Sequence, residues 1–361
     1  MNANYPAKCW YVAATSDELG DTSLGRRLLG HDVVLWRSGS GQPVALADRC
    51  AHRGFPLSHG RSDGDRLICG YHGCTYEPDG RCVHIPTQHR VPPGMRVQAF
   101  PVLEEPPFVW IWLGPPTAAS ANRPPRTPWL SDNEWSTFAG NWIVQANYLM
   151  LHEHYLDFSY APVVHRSDVP PGMDRLPVFD EVEVTETAVS YTRLLQEAPL
   201  AKWEAEATGL DPAQPYVRRE RGTFASPAMH IQRWEIDAGD QAYRHIRTHA
   251  ITPETPTSTH VFMQASRNYA PDSAAVTTVL RTLSDDLVRR DSEVLEMAAA
   301  RVGYDGWRSG VEFQADAAAL RARRIVAVML AKEAGRSTLR PGLSASKNPD
   351  SERNPALPRT N

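Results

Sequence analysis

The chain has little cysteine: five residues in 361, at positions 9, 50, 69, 74 and 82. That is too few, and too unevenly spaced, for a disulfide framework, so metal binding is the better reading. There is no apolar stretch approaching the roughly 20 residues that cross a bilayer, and Met1 to Trp10 lacks the apolar region of a signal peptide. A cytoplasmic location is the expectation. Charge of one sign is missing too. Lys and Arg number 38 against 42 Asp and Glu, for a formal net charge of -4, and no basic run stands out. Nucleic acid and membrane surfaces are therefore poor candidates as partners, and proteins and small molecules better ones. Internal repeats are absent. Apolar residues are plentiful, at 42%, enough in this length for a substantial core and two domains of ordinary size.

From Lys8 to about Gly114 short alternating runs, VVLW at 33-36, PVALAD at 43-48 and FVWIWL at 108-113, are punctuated by Gly, Pro and Asp, which reads as a small β domain. Gly114 to Pro128 is rich in Pro, Ala and Ser without periodicity and suits an extended connection. Beyond it the pattern predicts a helix over roughly 142-158, strands around 181-195, 223-236, 243-251 and 258-267, and helices near 284-301 and 315-334. The second domain is thus mixed, α+β. The expected boundaries are 1-118, 119-335 and a tail, 336-361, too polar to offset its own ordering entropy.

The strongest signal is CAHRG at 50-54 with CGYHG at 69-73: Cys-x-His, sixteen residues, then Cys-x-x-His. Each pair lies in a loop closed by glycine, Gly54 or Gly73, which permits the close backbone approach that a cluster's sulfurs need. Thiolates of Cys50 and Cys69 on one iron and neutral imidazoles of His52 and His72 on the other would make a mixed-ligand [2Fe-2S] centre. Exchanging two anionic ligands for neutral ones places the potential at about -150 to +300 mV, against about -400 mV for all-cysteine plant-type clusters. The competing reading is a tetrahedral zinc site, disfavoured because the order alternates Cys, His, Cys, His. Cys9, Cys74 and Cys82 read as small buried thiols, with Cys74 placed to influence cluster packing.

These loops resemble those of the Rieske non-haem iron oxygenases, in particular the homo-oligomeric monooxygenase and O-demethylase branch that includes the dicamba, vanillate and toluenesulfonate enzymes. KCWYVAA at 8-14, IPTQHRVPPGMRVQAFPV at 85-102, VWIWLG at 109-114, NYLMLHEHYLDFSYAPVVH at 147-165 and ITPETPTSTHVF at 251-262 extend the likeness over most of the chain. The resemblance implies an N-terminal all-β Rieske domain followed by a helix-grip (START-like) catalytic domain with an antiparallel sheet and a mononuclear Fe2+. It implies a head-to-tail homotrimer and an NAD(P)H-dependent reductase or ferredoxin as electron donor. The implied reaction uses O2 to hydroxylate, or to O- or N-demethylate, a small aromatic anion. A Rieske electron-transfer protein or biosynthetic tailoring enzyme with an altered second site is the alternative.

For the second iron two histidines and a carboxylate on one face are expected. By resemblance His165 is the family's second histidine, and Asp157 is the carboxylate that would accept a hydrogen bond from His72 of the partner subunit. Asp291 can be argued from the residues. In SDDLVRRDSEVLEMAA, 284-299, Ser284 reads as an N-cap, and Leu287, Val294, Leu295 and Ala298 as an apolar stripe. Asp291 falls on that stripe, with Arg289, Arg290, Glu293 and Glu296 on the polar side, and a metal would offset the cost of burying its charge. A buried ion pair is the competing explanation.

The family's first histidine position is here Tyr160. Either His154 supplies the missing imidazole, or Tyr160 ligates as a phenolate, or the site is lost and Tyr160 merely packs. Straight helix would hold His154 and His165 about 16 Å apart, so the helix must end between them, with Pro162 as the break. His152 is a more remote candidate. For the substrate, His230 and His249 fall where related demethylases contact an aromatic carboxylate. Arg247 alternates onto the same strand face as His249, which suits an anionic substrate. His245 and Arg244 are weaker candidates, and Phe224, Trp234 and Phe262 read mainly as core.

Overall fold

The computed structural model describes residues 5-335 apart from 21, 172, 174-178, 180 and 307-309. The tail assigned to 336-361 lies outside the described residues.

The first part of the chain is all β: β1 (Trp10–Thr15), β2 (Leu24–Leu28), β3 (His31–Arg37), β4 (Pro43–Ala47), β5 (Arg61–Asp63), β6 (Arg66–Ile68), β7 (Thr75–Tyr76), β8 (Cys82–His84), β9 (Ala99–Phe100), β10 (Val102–Glu105) and β11 (Phe108–Trp112). They form three small sheets, ordered β1-β11-β10, β2-β3-β4-β9 and β5-β6-β7-β8. All three predicted runs are strands. Val34, Trp36, Leu46, Leu57, Leu67 and Tyr76 make a separate apolar core that also contains Cys50, Cys69, Cys74 and Cys82.

The second part is one antiparallel sheet of seven strands, β12 (Ser136–Val144), β13 (Glu181–Val184), β14 (Val189–Ala198), β15 (Tyr216–Ser226), β16 (Met229–Asp237), β17 (Ala242–Thr255) and β18 (Ser258–Arg267), ordered β12-β18-β17-β16-β15-β14-β13. The helices are α1 (Tyr148–Asp157), α2 (Ala161–Val164), α3 (Lys202–Thr208), α4 (Ala274–Gly306) and α5 (Ala317–Glu333). Among the described residues no helix is long and apolar enough to cross a membrane. Every residue of β18 is buried, because helices cover one face and the β1-β11 sheet the other. Two of its polar side chains are satisfied by the chain around them: Thr259 Oγ1 donates to the Ala146 carbonyl at 2.8 Å and His260 Nε2 meets the Arg27 carbonyl at 3.1 Å. The two parts are joined along this face, where Thr252 Oγ1 donates to the Val12 carbonyl at 2.8 Å.

Several expectations need correction. Residues 142-144 belong to β12, not to a helix; exposed Ile143 between more buried neighbours is strand alternation. The helix starts after Asn147, whose side chain accepts from the Leu149 N–H at 3.0 Å as an N-cap. It ends at Phe158, a left-handed residue with φ 56. The break is therefore there, and Pro162 sits in the first turn of α2, where a missing N–H costs nothing. The run 223-236 is a hairpin, β15 and β16. Gly114 to Pro128 is partly packed: it contains a 3-10 turn over Pro116–Ala121 with buried Ala119, and the carbonyl of Asn122 accepts from the Trp10 indole at 3.2 Å. Ser284 caps nothing, since α4 begins ten residues earlier, and Ala298 and Val294 lie on its exposed side. The buried stripe runs through Leu280, Leu283, Ser284, Leu287, Asp291 and Leu295.

Candidate metal centres and cavity

The two Cys/His loops are near copies of each other. Cys50 N–H donates to the Phe55 carbonyl and Gly54 N–H back to the Cys50 carbonyl, both at 2.8 Å. In the second loop Cys69 N–H donates to the Cys74 carbonyl at 2.9 Å and Gly73 N–H to the Cys69 carbonyl at 3.1 Å. Gly54 and Gly73 close them at φ +70 and +69, a region other residues rarely enter. A Cβ on Gly73 would also lie 2.9 Å from Pro86. The thiols of Cys50 and Cys69 end up buried, at 3% and 2% exposure. His52 and His72 lie above them at the surface, ring centroids 4.6 Å apart. Burial pushes both thiols up. At Cys50 the Tyr76 hydroxyl and the His52 backbone N–H outweigh this and the net shift is down, whereas Cys69 remains raised. Two sulfurs beneath two imidazoles, each on a loop with inward N–H groups, fit a mixed-ligand iron-sulfur cluster.

The second set is assembled from three helices. Asp291 of α4 is buried, and its Oδ1 lies 2.7 Å from His165 Nε2 and 3.1 Å from His154 Nε2. Burial alone would raise the Asp291 carboxyl; the two imidazoles overcome it and hold the group well below the usual carboxylate range. Cis donors about 2.1 Å from an ion lie about 3 Å apart, so these separations suit donors sharing one metal. Among the described residues no three such side chains are already spread around a common centre; those of this site contact one another. The His154 Nε2 is buried without an aligned hydrogen-bond partner, as is His165 Nδ1. A buried imidazole nitrogen 3.1 Å from a carboxylate and without an aligned partner fits a ligand. Tyr160 lies flat on His154, centroids 3.7 Å apart at 21°, and edge-on to His165 at 5.6 Å. Burial, then repulsion by Asp291, pushes its phenol well above the ordinary value. His152 is turned away, its Nε2 3.0 Å from the Pro227 carbonyl. Asp157 ends α1, half-buried, with Oδ1 accepting from the Ser159 N–H at 3.3 Å.

Beside these donors is a partly open cavity whose lining includes Tyr160, His165 and Asp291. From β17 it takes His245, Arg247 and His249, alternate residues on one face. Among the described residues no carboxylate pairs with Arg247, and its buried Nε has no partner. Burial lowers the guanidinium, partly opposed by Asp291. Burial, reinforced by Arg247, lowers His249 to about 3, so it is neutral. His249 stacks on Tyr155 at 4.3 Å. His230 is fully buried behind it, tilted against Tyr155 at 5.4 Å and not part of the lining. Arg244 points away to Glu235. Phe224 and Phe262 are core, but Trp234 lines the cavity, its Nε1 donating to Glu204 at 2.8 Å. Trp203, Gln232 and Tyr155, which the sequence did not single out, line it as well, and so does Ser284, expected as an N-cap. The readable signal was alternation in β16, which puts Gln232 and Trp234 on one face.

Comparison with known proteins matches residues 9–101 to the Rieske [2Fe-2S] domain and 144–332 to the vanillate O-demethylase oxygenase C-terminal domain. The chain is 33% identical to the toluene-4-sulfonate monooxygenase system iron-sulfur subunit of Comamonas testosteroni, over 74% of this chain and 81% of that one. It is 31% identical to the dicamba O-demethylase oxygenase component of Stenotrophomonas maltophilia, over 82% and 88%. It is also similar to the crystal structure of dicamba monooxygenase bound to 3,6-dichlorosalicylic acid, with a TM-score of 0.85 at 30% identity over 92% of this chain and 99% of that one.

Proposed function

Because the chain belongs to the vanillate O-demethylase type of Rieske non-haem iron oxygenases, we propose that it hydroxylates or O- or N-demethylates a small aromatic anion. Its electrons come from an NAD(P)H-dependent reductase or ferredoxin. The observation that carries the substrate class is Arg247, a guanidinium without a carboxylate partner among the described residues, facing a cavity that also reaches His165 and Asp291. A half-buried cation without a counter-ion is costly, and a ligand carboxylate or sulfonate would offset that cost with charge-assisted hydrogen bonds. His249, held neutral, offers a further polar contact, and Trp203 and Trp234 give an aromatic ring apolar walls.

Cys50, His52, Cys69 and His72 would hold the cluster; His165, Asp291 and His154 would hold the single iron. His154 takes the part that the family gives to position 160, since its Nε2 reaches the same carboxylate oxygen as His165. Tyr160 then serves as the plate that fixes the His154 ring. When bound, the cluster supplies single electrons and the mononuclear iron the oxidising chemistry with O2. Asp157, one turn beyond His154, would accept a hydrogen bond from His72 of the partner subunit in a homotrimer. The matched regions, 9–101 and 144–332, support domains at 1-118 and 119-335.

Metal content and turnover test this together. Two irons of the [2Fe-2S] cluster and one more, three per chain, are expected, with formaldehyde released from a methoxylated aromatic acid panel in the presence of reductase and NADH. Two irons and no product would overturn it in favour of an electron-transfer protein. His154→Ala should lose the single iron and Tyr160→Phe keep it; the reverse would make Tyr160 the ligand.

A further inference from the structure

The seven-stranded sheet carries a buried ionic chain that neither donor set nor the cavity requires. Arg193 of β14 and Glu220 of β15 are directly opposed in the ladder and only 2% and 0% exposed, with Arg193 Nη1 donating to Glu220 Oε2 at 3.0 Å. Tyr191 donates its hydroxyl to the other oxygen at 2.6 Å. The guanidinium lies over the rings of Phe179 and Tyr191, at 4.3 and 4.7 Å. Its second nitrogen, Nη2, donates at 2.7 Å to the main-chain carbonyl of Asp157, the last residue of α1. Gln232 of β16, opposite Gly222 in the ladder, lines the cavity nearby. The connected series is Tyr191, Glu220, Arg193, Asp157 carbonyl.

Space has been kept for it. A Cβ on Gly222, opposite Tyr191, would lie 2.4 to 2.5 Å from the phenol ring and its hydroxyl, so a larger residue would displace the tyrosine from Glu220. Stability alone is a weak reason for such a pair, because desolvating two charges offsets most of their attraction. A cation at a helix C-terminus is favourable there, since it meets the unpaired carbonyls of the last turn. That carbonyl precedes Phe158, the left-handed residue that turns the chain from His154 toward Tyr160 and His165.

We propose that Arg193 is a positioning residue for the Asp157-Phe158 turn, and that Glu220 and Tyr191 hold its guanidinium in place. Fixing the carbonyl of Asp157 fixes the direction of its carboxylate and of the His154 imidazole one turn earlier. This rests on the site reading above.

The test uses the full-length holoprotein and begins with Glu220→Gln, which keeps the side chain's size and removes the charge that holds Arg193. Amide exchange at Phe158 and Ala161 is expected to accelerate about tenfold in this variant. Arg193→Met should exceed it, and Arg193→Lys should restore part of the protection. The return of cluster absorbance after dithionite reduction and mixing with O2 should slow about tenfold in Glu220→Gln, with iron content and cluster midpoint potential unchanged. Unchanged exchange at 158 and 161 in Arg193→Met, or an equal rise in the β1-β11 sheet, would overturn the proposal. Protein lacking the single iron would defeat the functional reading, while the exchange pattern would still decide this one.

Discussion

The two donor sets are built in opposite ways. Around Cys50 and Cys69 all donors fall between positions 50 and 72, on two loops that repeat one hydrogen-bond pattern, with the imidazoles at the surface. Around Asp291 the donors come from α1, the residue after α2, and α4, with Asp291 more than a hundred residues from both histidines, and they are buried. The first is a local motif needing little of the remaining fold. The second exists only once the sheet has brought three helices together.

The sharpest way to break this contrast is to remove one donor from each set. Asp291→Ala should lose the single iron and lower product formation by more than about 100-fold, the scale reached by losing even an outer partner of a metal ligand. The red-brown cluster absorbance should be untouched. Cys69→Ser should do the converse, bleaching the protein while the single iron stays. If either substitution empties both sites, measured as iron per chain and visible absorbance, the two are not independent.

How legible each was follows from the same difference. CAHRG and CGYHG could be read directly because ligand spacing and closing glycine are both sequence-local. Asp291 was legible through helix periodicity alone, since Leu287, Asp291 and Leu295 share one face. That stripe was misread at its ends: Ser284 is buried in mid-helix because it faces the cavity, not because it caps. The turn at Phe158 was placed at Pro162 because a left-handed phenylalanine leaves no sequence signal, whereas proline does. Arg193 and Glu220 could not be paired at all, as cross-strand register between β14 and β15 depends on the hairpin geometry.

A smaller effect is expected within the cavity, which belongs to the second, assembled region. Arg247→Met should raise KM for a carboxylate or sulfonate substrate about 10- to 100-fold, the loss of a hydrogen bond to a charged group, with kcat little changed. The methyl ester of the same substrate should show no such penalty. An equal loss for acid and ester would mean that Arg247 supports the fold, not the ligand.

The smallest effect should come from the local site, where one contact tunes without building. Tyr76 is fully buried, its oxygen 3.1 Å from Cys50 Sγ and 3.0 Å from the Ala51 nitrogen. The Ala51 N–H must donate to that oxygen, which leaves the hydroxyl proton for sulfur. A hydrogen bond to a cluster sulfur favours the reduced, more negative state and so raises the potential. Tyr76→Phe keeps the ring in the core and removes only that donor, at about 1 kcal/mol for an ordinary hydrogen bond. For a one-electron couple this is a fall of about 40 mV, read by redox titration of the cluster absorbance. A potential that does not fall, with the cluster still bound, would show that the phenol is structural packing and that the loops alone set the potential.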